Sequence, residues 1–288
     1  MGHTGRMPPR LHVDLPLGAA GAAFDLPAGA ARHAQVLRLQ PGAPLTLFDG
    51  HGGEWAARVV QMGRSTVGVA LGAHDPVERE LALPVTLALG MPANERMDTV
   101  IEKATELGVA VIQPLLCERS VLRLAGERAQ KKVAHWQAVA VGACEQSGRT
   151  RVPRVEPVRT LAEWLQSLPA TGTEAAKGDG AARWLLGFDH AQPLAALLHG
   201  GVPAAGVVSL SGPEGGLSAG EEALARRAGF ASVSLGVRVL RADTAPLALL
   251  AHLSIAHISV VNPSIVNPSI ANPSIANPSI PAGTGTPA

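Results

Sequence analysis

The stretch "SLSGPEGGLSAGE" runs from Ser209 to Glu221, directly after the apolar run "AAGVV". It sets Gly212, Pro213, Glu214, Gly215 and Gly216 in a tight bend between two ordered segments. Glycine there permits positive φ and lets a ligand approach the backbone closely. The continuation "LSAGEEALARRAG" opens a helix, with Ser218 as N-cap and Glu221 three residues on completing a capping box. A bare loop at a strand's carboxyl end, leading into a helix, is where open α/β sheets bind ligands. Two familiar phosphate cradles do not fit. The glycine spacing is wrong for GxGxxG, and no Lys-Ser or Lys-Thr follows as a P-loop requires. On this loop alone an ordinary strand-to-helix turn explains the residues as well. A second loop shifts the balance: after "FASVSLG" comes "VRVLRADTAPLALLAHL", placing Arg238, Arg241 and Asp243 before a helix expected to be capped by Thr244.

Upstream of these loops, strands and helices alternate. "VTLALGMP" precedes "NERMDTVIEKATELG", "VIQPLLCERS" precedes the long helical "GERAQKKVAHWQAVAVGACEQSG", and "RWLLGFD" adds a further strand. Such alternation predicts a largely parallel sheet covered by helices. The first seventy residues differ. "APLTLFDG" and "EWAARVV" flank "HGG", and "STVGVALG" follows, which reads as hairpin-rich β structure suited to a small barrel. The expected organisation is a β-barrel domain over 1–72, a linker over 73–83, an α/β domain over 84–258 and a tail over 259–288. In that tail "VNPSIVNPSIANPSIANPSI" (Val261 to Ile280) repeats a pentapeptide whose Asn-Pro step excludes helix, and a disordered appendage is expected.

Composition removes several classes of function. With 288 residues, 47% of them hydrophobic and 16% charged, the chain can bury a substantial core. A net charge of +1 advertises no global field for nucleic acid, so any basic patch must be local. The two cysteines, Cys117 and Cys144, form no CxxC or Cys/His cluster, which speaks against a metal site or disulfide scaffold. The ten histidines show no metal spacing either. No apolar run approaches a membrane span, no signal-peptide h-region opens the chain, and Arg6 stands where a myristoylation signal needs Ser or Thr. A soluble cytoplasmic protein without metal or membrane partner is expected.

"LSGPEGGLSAGE" followed by "LGVRVLRADTAPLALL" closely resembles the paired C-terminal signature of the RsmE family, the 16S rRNA uracil-N3 methyltransferases of the SPOUT superfamily. The resemblance spans residues 7 to about 253. "MPPRLHV" and "RHAQVLRLQPGAPLTLFDGHGGEW" are similar to the family's opening, and "ERMDTVIEKATELGV", "QPLLCERSV", "HWQAVAVGACEQSGR" and "RVPRVEPV" to its middle blocks, in order. It implies a PUA-like β-barrel domain followed by a trefoil-knotted α/β methyltransferase domain. It also implies S-adenosylmethionine as methyl donor, 16S rRNA within the small ribosomal subunit as substrate, and a homodimer with sites near the subunit interface.

Carried onto this sequence, the resemblance places the donor among three loops: Leu186 and Gly187; Ser211, Gly212, Pro213, Glu214, Gly215 and Gly216; and Leu235, Gly236, Val239, Leu240, Arg241, Ala242 and Thr244. Methylation at N3 needs the uracil ring deprotonated and aimed at the methyl group, so a cation beside the base and a carboxylate to take the proton are sought. Arg119 and Arg149 lead as cations with Arg241 behind them, and Glu145 or Glu214 as the base. From Gln113 to Thr160, Lys and Arg outnumber Asp and Glu nine to four. Arg123, Lys131, Lys132 and Arg151 there, with Arg10, Arg32 and Arg38 in the β domain, are candidates to hold RNA by charge. A solvated helix face is the alternative for Lys131 and Lys132. Aromatics are only 3%, so base-stacking surfaces are not expected.

The chain departs from the family pattern at Val237, where proline is usual, and at Ala242-Asp243, where Thr-Glu is usual. An added Pro246 falls in the first turn of the last helix, where proline is tolerated. Two other readings stay open: a related knotted enzyme with another RNA target, and a non-catalytic RNA-binding paralogue.

Overall fold

A computed structural model of the chain describes residues 8–93, 96–169 and 180–261, with the side chains of 257–261 excepted. The N-terminal part contains β1 (Arg10–His12), β2 (Ala23–Asp25), α1 (Ala28–Val36), β3 (Pro44–Phe48), β4 (Glu54–Met62) and β5 (Val67–Asp75). Among the described residues its strands form one sheet in the order β1-β3-β4-β5-β2. The β3–β4 and β4–β5 pairs are antiparallel, as the hairpin pattern predicts, whereas β1 runs parallel to β3. The ladder has β1 and β2 at its ends, and no pairing between those two is described. Helix α1 instead packs on β1 and β5. Its buried face is Ala30, Ala31 and Ala34, small side chains that bring the helix close to Leu11, Leu45, Val67 and Val69.

The remainder alternates as the sequence predicts: β6 (Val85–Gly90), α2 (Arg96–Glu106), β7 (Val111–Leu116), α3 (Gly126–Ser147), β8 (Arg154–Val155), β9 (Arg159–Thr160), α4 (Leu161–Ser167), β10 (Ala182–Leu186), β11 (Gln192–Pro193), α5 (Leu194–Leu197), β12 (Val207–Ser211), α6 (Ala219–Arg227), β13 (Ala231–Ser234) and α7 (Thr244–Val261). Its described strands order as β11-β13-β10-β12-β6-β7-β8, with β9 also on β7, and every pairing is parallel. Strand β6, apolar apart from the half-buried Thr86, is covered on both faces. Leu87 and Leu89 join Met97 and Ile101 of α2, Trp136 of α3 and Leu250 of α7, while Ala88 joins Leu210, Trp164 and Phe230 on the other side. Each fully buried leucine contributes about 1.5–3 kcal/mol through burial.

The stretch expected as a linker is not free. Strand β5 continues to Asp75, past the boundary at 72, and the polar residues beyond it are ion-pair partners. Glu80 receives the guanidinium of Arg149, and Glu78 that of Arg151 at 2.7 Å. Arg79 and Arg10 share the carboxylate of Glu54 at 3.0 and 2.9 Å. Burial works against ionisation of Glu54, but these two arginines hold its carboxyl below the usual carboxylate range. The other boundary also moves, since α7 runs through Val261 rather than ending at 258. The repeats that follow lie outside the described residues.

Candidate functional site

Three adjacent strands, β13, β10 and β12, end at one edge of the parallel sheet, and the loops that leave them enclose a cavity of ≈ 720 Å³. That volume lies in the range of small-molecule sites. The three loops are those singled out in the sequence. Leu186 and Gly187 line the cavity after β10; Ser211, Gly212, Pro213, Glu214 and Gly216 after β12; Leu235, Val239, Leu240, Arg241 and Ala242 after β13.

The loop after β12 is built by close backbone approach. A Cβ on Gly212 would lie 2.8 Å from the amide nitrogen of Leu217, and Gly216 takes a positive φ of 69° as its N–H closes a turn onto the Pro213 carbonyl at 2.8 Å. Gly90, at the end of β6, admits Pro213; a Cβ there would stand 2.4 Å from the proline Cδ. Ser218 and Glu221 form the predicted capping box, with Ser218 Oγ accepting from the Glu221 N–H and Glu221 Oε2 accepting from the Ser218 N–H. Glu221 is buried, and its other oxygen accepts from the Glu118 N–H at 2.8 Å, reaching the loop after β7. Glu214 ties the loop to the start of α2, since its Oε1 accepts from the Ala93 N–H at 3.0 Å and from Arg96 at 3.3 Å.

Several expected site residues sit elsewhere. Gly215 faces Arg119, whose Cβ would be 3.1 Å from an added Cβ, and does not line the cavity. Gly236 and Thr244 are also outside its lining; Thr244 is the first residue of α7, and its hydroxyl donates to Asp243. Arg149 does not line this cavity. It is 5% exposed, and its guanidinium is spent on Glu80 and on the carbonyls of Thr105 and Val109, both at 2.9 Å. Glu145 belongs to the junction between the two sheets, accepting from the His12 N–H at 2.9 Å and pairing with His33 at 3.1 Å. Arg119 lies behind the β12 loop and donates to the carbonyls of Gly215 and Leu217. Of the five catalytic candidates, Glu214 and Arg241 line the cavity, while Arg119, Arg149 and Glu145 do not.

The RNA candidates divide in the same way. Arg10 is bound to Glu54 and to the carbonyls of Cys144 and Arg149, and stacks over the Phe48 ring, so it joins the two sheets internally. Arg151 is held by Glu78, Arg123 donates to the Glu118 carbonyl, and Lys131 pairs with Glu127 along α3. Arg32 and Arg38 are exposed, and Lys132 is half-buried.

The cavity also holds groups that the motif reading passed over. Arg96 lines it beside Glu214, and Asp189 and Glu222 line it while both pairing with Arg226, at 3.1 and 2.8 Å. Arg96 opens a helix after a strand, which was the available signal; Glu222 is a plain helix residue with none. Cys117 and Cys144 are both buried, and burial first of all pushes each thiol up to about 12, so neither is a nucleophile at neutral pH. Among the described residues no group of three or more His, Cys, Asp or Glu is placed to hold a metal, and no helix is long and apolar enough to cross a membrane.

Comparison with known proteins agrees with this layout. The RNA methyltransferase domain family matches residues 79–254, more than half of the chain, and the RNA methyltransferase PUA domain family matches residues 26–70. The ribosomal RNA small subunit methyltransferase E of Synechocystis is 35% identical over 222 residues, 76% of this chain and 68% of that protein. The protein of the same name in Bacillus subtilis is 29% identical over 225 residues, 76% of this chain and 84% of its own. The crystal structure of ribosomal RNA small subunit methyltransferase E from Neisseria gonorrhoeae, bound to S-adenosyl methionine, superposes with a TM-score of 0.79 at 36% identity, covering 88% of this chain and 98% of that one. A PUA domain followed by an α/β domain whose strand-end loops enclose a ligand-sized cavity, with relatives of one name along most of its length, makes this chain a member of the ribosomal RNA small subunit methyltransferase E family of RNA methyltransferases.

Proposed function

We propose that the chain transfers a methyl group from S-adenosylmethionine to N3 of one uridine of 16S rRNA, within the small ribosomal subunit. The observation that carries this reading is the cavity between the three strand-end loops, in a chain 36% identical to a relative described as bound to that donor. The residues present fit such a ligand. Ser211 Oγ is buried at the cavity wall without a hydrogen-bond partner, the state in which a polar ligand completes a site. Gly187 leaves open space where a side chain would stand. The lining carries both acids, Asp189, Glu214 and Glu222, and bases, Arg96, Arg238 and Arg241, which suits a ligand bearing both charges.

When bound, the donor supplies an electrophilic methyl group on a sulfonium. The chain's own work is to orient the two reactants and to make the uracil anion accessible. Glu214 is the carboxylate placed to accept the N3 proton, because one of its oxygens is engaged by Ala93 and Arg96 while no described residue bonds the other. Arg96, Arg238 and Arg241 lower the cost of the negative charge that develops on the base. RNA is gripped through exposed cations such as Arg32 and Arg38, in a cytoplasmic homodimer whose α/β domain carries the family's knotted crossing. Incubation with S-adenosylmethionine and small subunits from a strain lacking the corresponding gene, followed by mass mapping, tests this. One added 3-methyluridine is expected; a methyl group on ribose or another base, or none, overturns it.

A further inference from the structure

Resting on the reading that S-adenosylmethionine occupies the cavity, we infer that Arg119 is a positioning residue for the donor loop rather than a contact to the target base. Its guanidinium Nη1 donates to two carbonyls of that loop, Gly215 at 3.0 Å and Leu217 at 3.2 Å, from the side away from the cavity. These two carbonyls flank Gly216, a cavity residue held at positive φ, so the fork fixes the turn on which the donor rests. Two features make the contact specific. Gly215 lacks the Cβ that would press on Arg119 Cβ at 3.1 Å, and the neighbouring Glu118 N–H is itself anchored on Glu221 at the start of α6. The segment after β7 thus holds the second half of the loop after β12 and the helix start that follows it. A charge-assisted bond to a carbonyl holds more strongly than a neutral one, and its planar geometry restricts the two acceptors together.

The test combines calorimetric titration with S-adenosylmethionine, steady-state kinetics on small subunits, and melting. Arg119→Ala is expected to raise the Kd and the KM for the donor about 10-fold, while kcat at saturating donor falls less than about 3-fold. Arg119→Lys, which can reach one carbonyl at a time, should recover part of the loss. Gly215→Ala should weaken the donor in the same direction, because its Cβ presses on Arg119 Cβ and displaces the same contact. Arg128→Ala, an exposed arginine in the first turn of α3, should leave donor affinity unchanged. An unchanged donor Kd in Arg119→Ala with a large fall in kcat would overturn the proposal and return Arg119 to the base. If the parent protein itself fails to bind the donor, the functional reading fails, and this inference with it.

Discussion

The two principal walls of the cavity are built differently. The wall after β12 is tied to three other parts of the domain: Pro213 against Gly90, Glu214 on Ala93 and Arg96, and Arg119 with Glu118 on the loop and its helix cap. The wall after β13 makes only local bonds among those described between Leu235 and Thr244. Ser234 Oγ bonds both backbone groups of Gly236, and the Arg241 carbonyl accepts from the Thr244 N–H. Val237 and Val239 are 94% and 84% exposed there, and the Arg238 and Arg241 side chains have no described partner. One wall is therefore held by other parts of the domain, and the other by bonds within its own loop. Local stability differs within a fold in this way, and ligand-binding loops come from its low end.

Substitutions at each wall should separate these roles. The largest effect is expected at Gly187, between the walls. A Cβ there has no protein atom within 4 Å and stands at the cavity wall, so Gly187→Val should abolish donor binding by calorimetry while the melting temperature stays put. Arg241→Ala, on the unsupported wall, should lower kcat on the order of 100-fold through lost charge stabilisation. Its stability should change by no more than about 0.5 kcal/mol in denaturant unfolding, as for other exposed side chains. Gly90→Ala should reverse that pattern. Its Cβ collides with Pro213, so stability should fall by about 1–3 kcal/mol, with donor affinity falling alongside it.

The smallest effect concerns acid, away from both walls. Because Arg79 and Arg10 hold Glu54 ionised below its unfolded pKa, its contribution is complete at neutral pH. It is lost as pH falls from the unfolded carboxylate value, about 4.3, through the lower folded value. Denaturant midpoints of the parent should therefore drop more steeply over that window than those of Glu54→Gln. Parallel curves would show that the ion pairs do not couple to folding.

How much of this was legible in the sequence follows the same division. Backbone geometry leaves a mark, so the bend at Gly212 to Gly216 and the Ser218–Glu221 capping box could be read directly. The alternation of strand and helix segments likewise predicted a parallel sheet covered by helices. Long-range partners leave none. "EQSGR" looks equally suited to a base contact, yet Arg149 spends its guanidinium on Glu80, 69 residues upstream, and on two carbonyls. The polar character of Glu78, Arg79 and Glu80 suggested a solvated linker because their partners lie across the junction between the two sheets. Arg96 was missed for the converse reason: it becomes a site residue only because Glu214, 118 positions later, folds against it.

Amide hydrogen exchange with and without S-adenosylmethionine tests most directly whether the cavity between these two walls is the donor site. In the free protein, amides of residues 212–221 are expected to exchange slowly and those of 235–243 quickly. Added donor should slow the second group strongly and the first only slightly. Protection that appears elsewhere, or nowhere, while the donor is shown to bind would contradict the account.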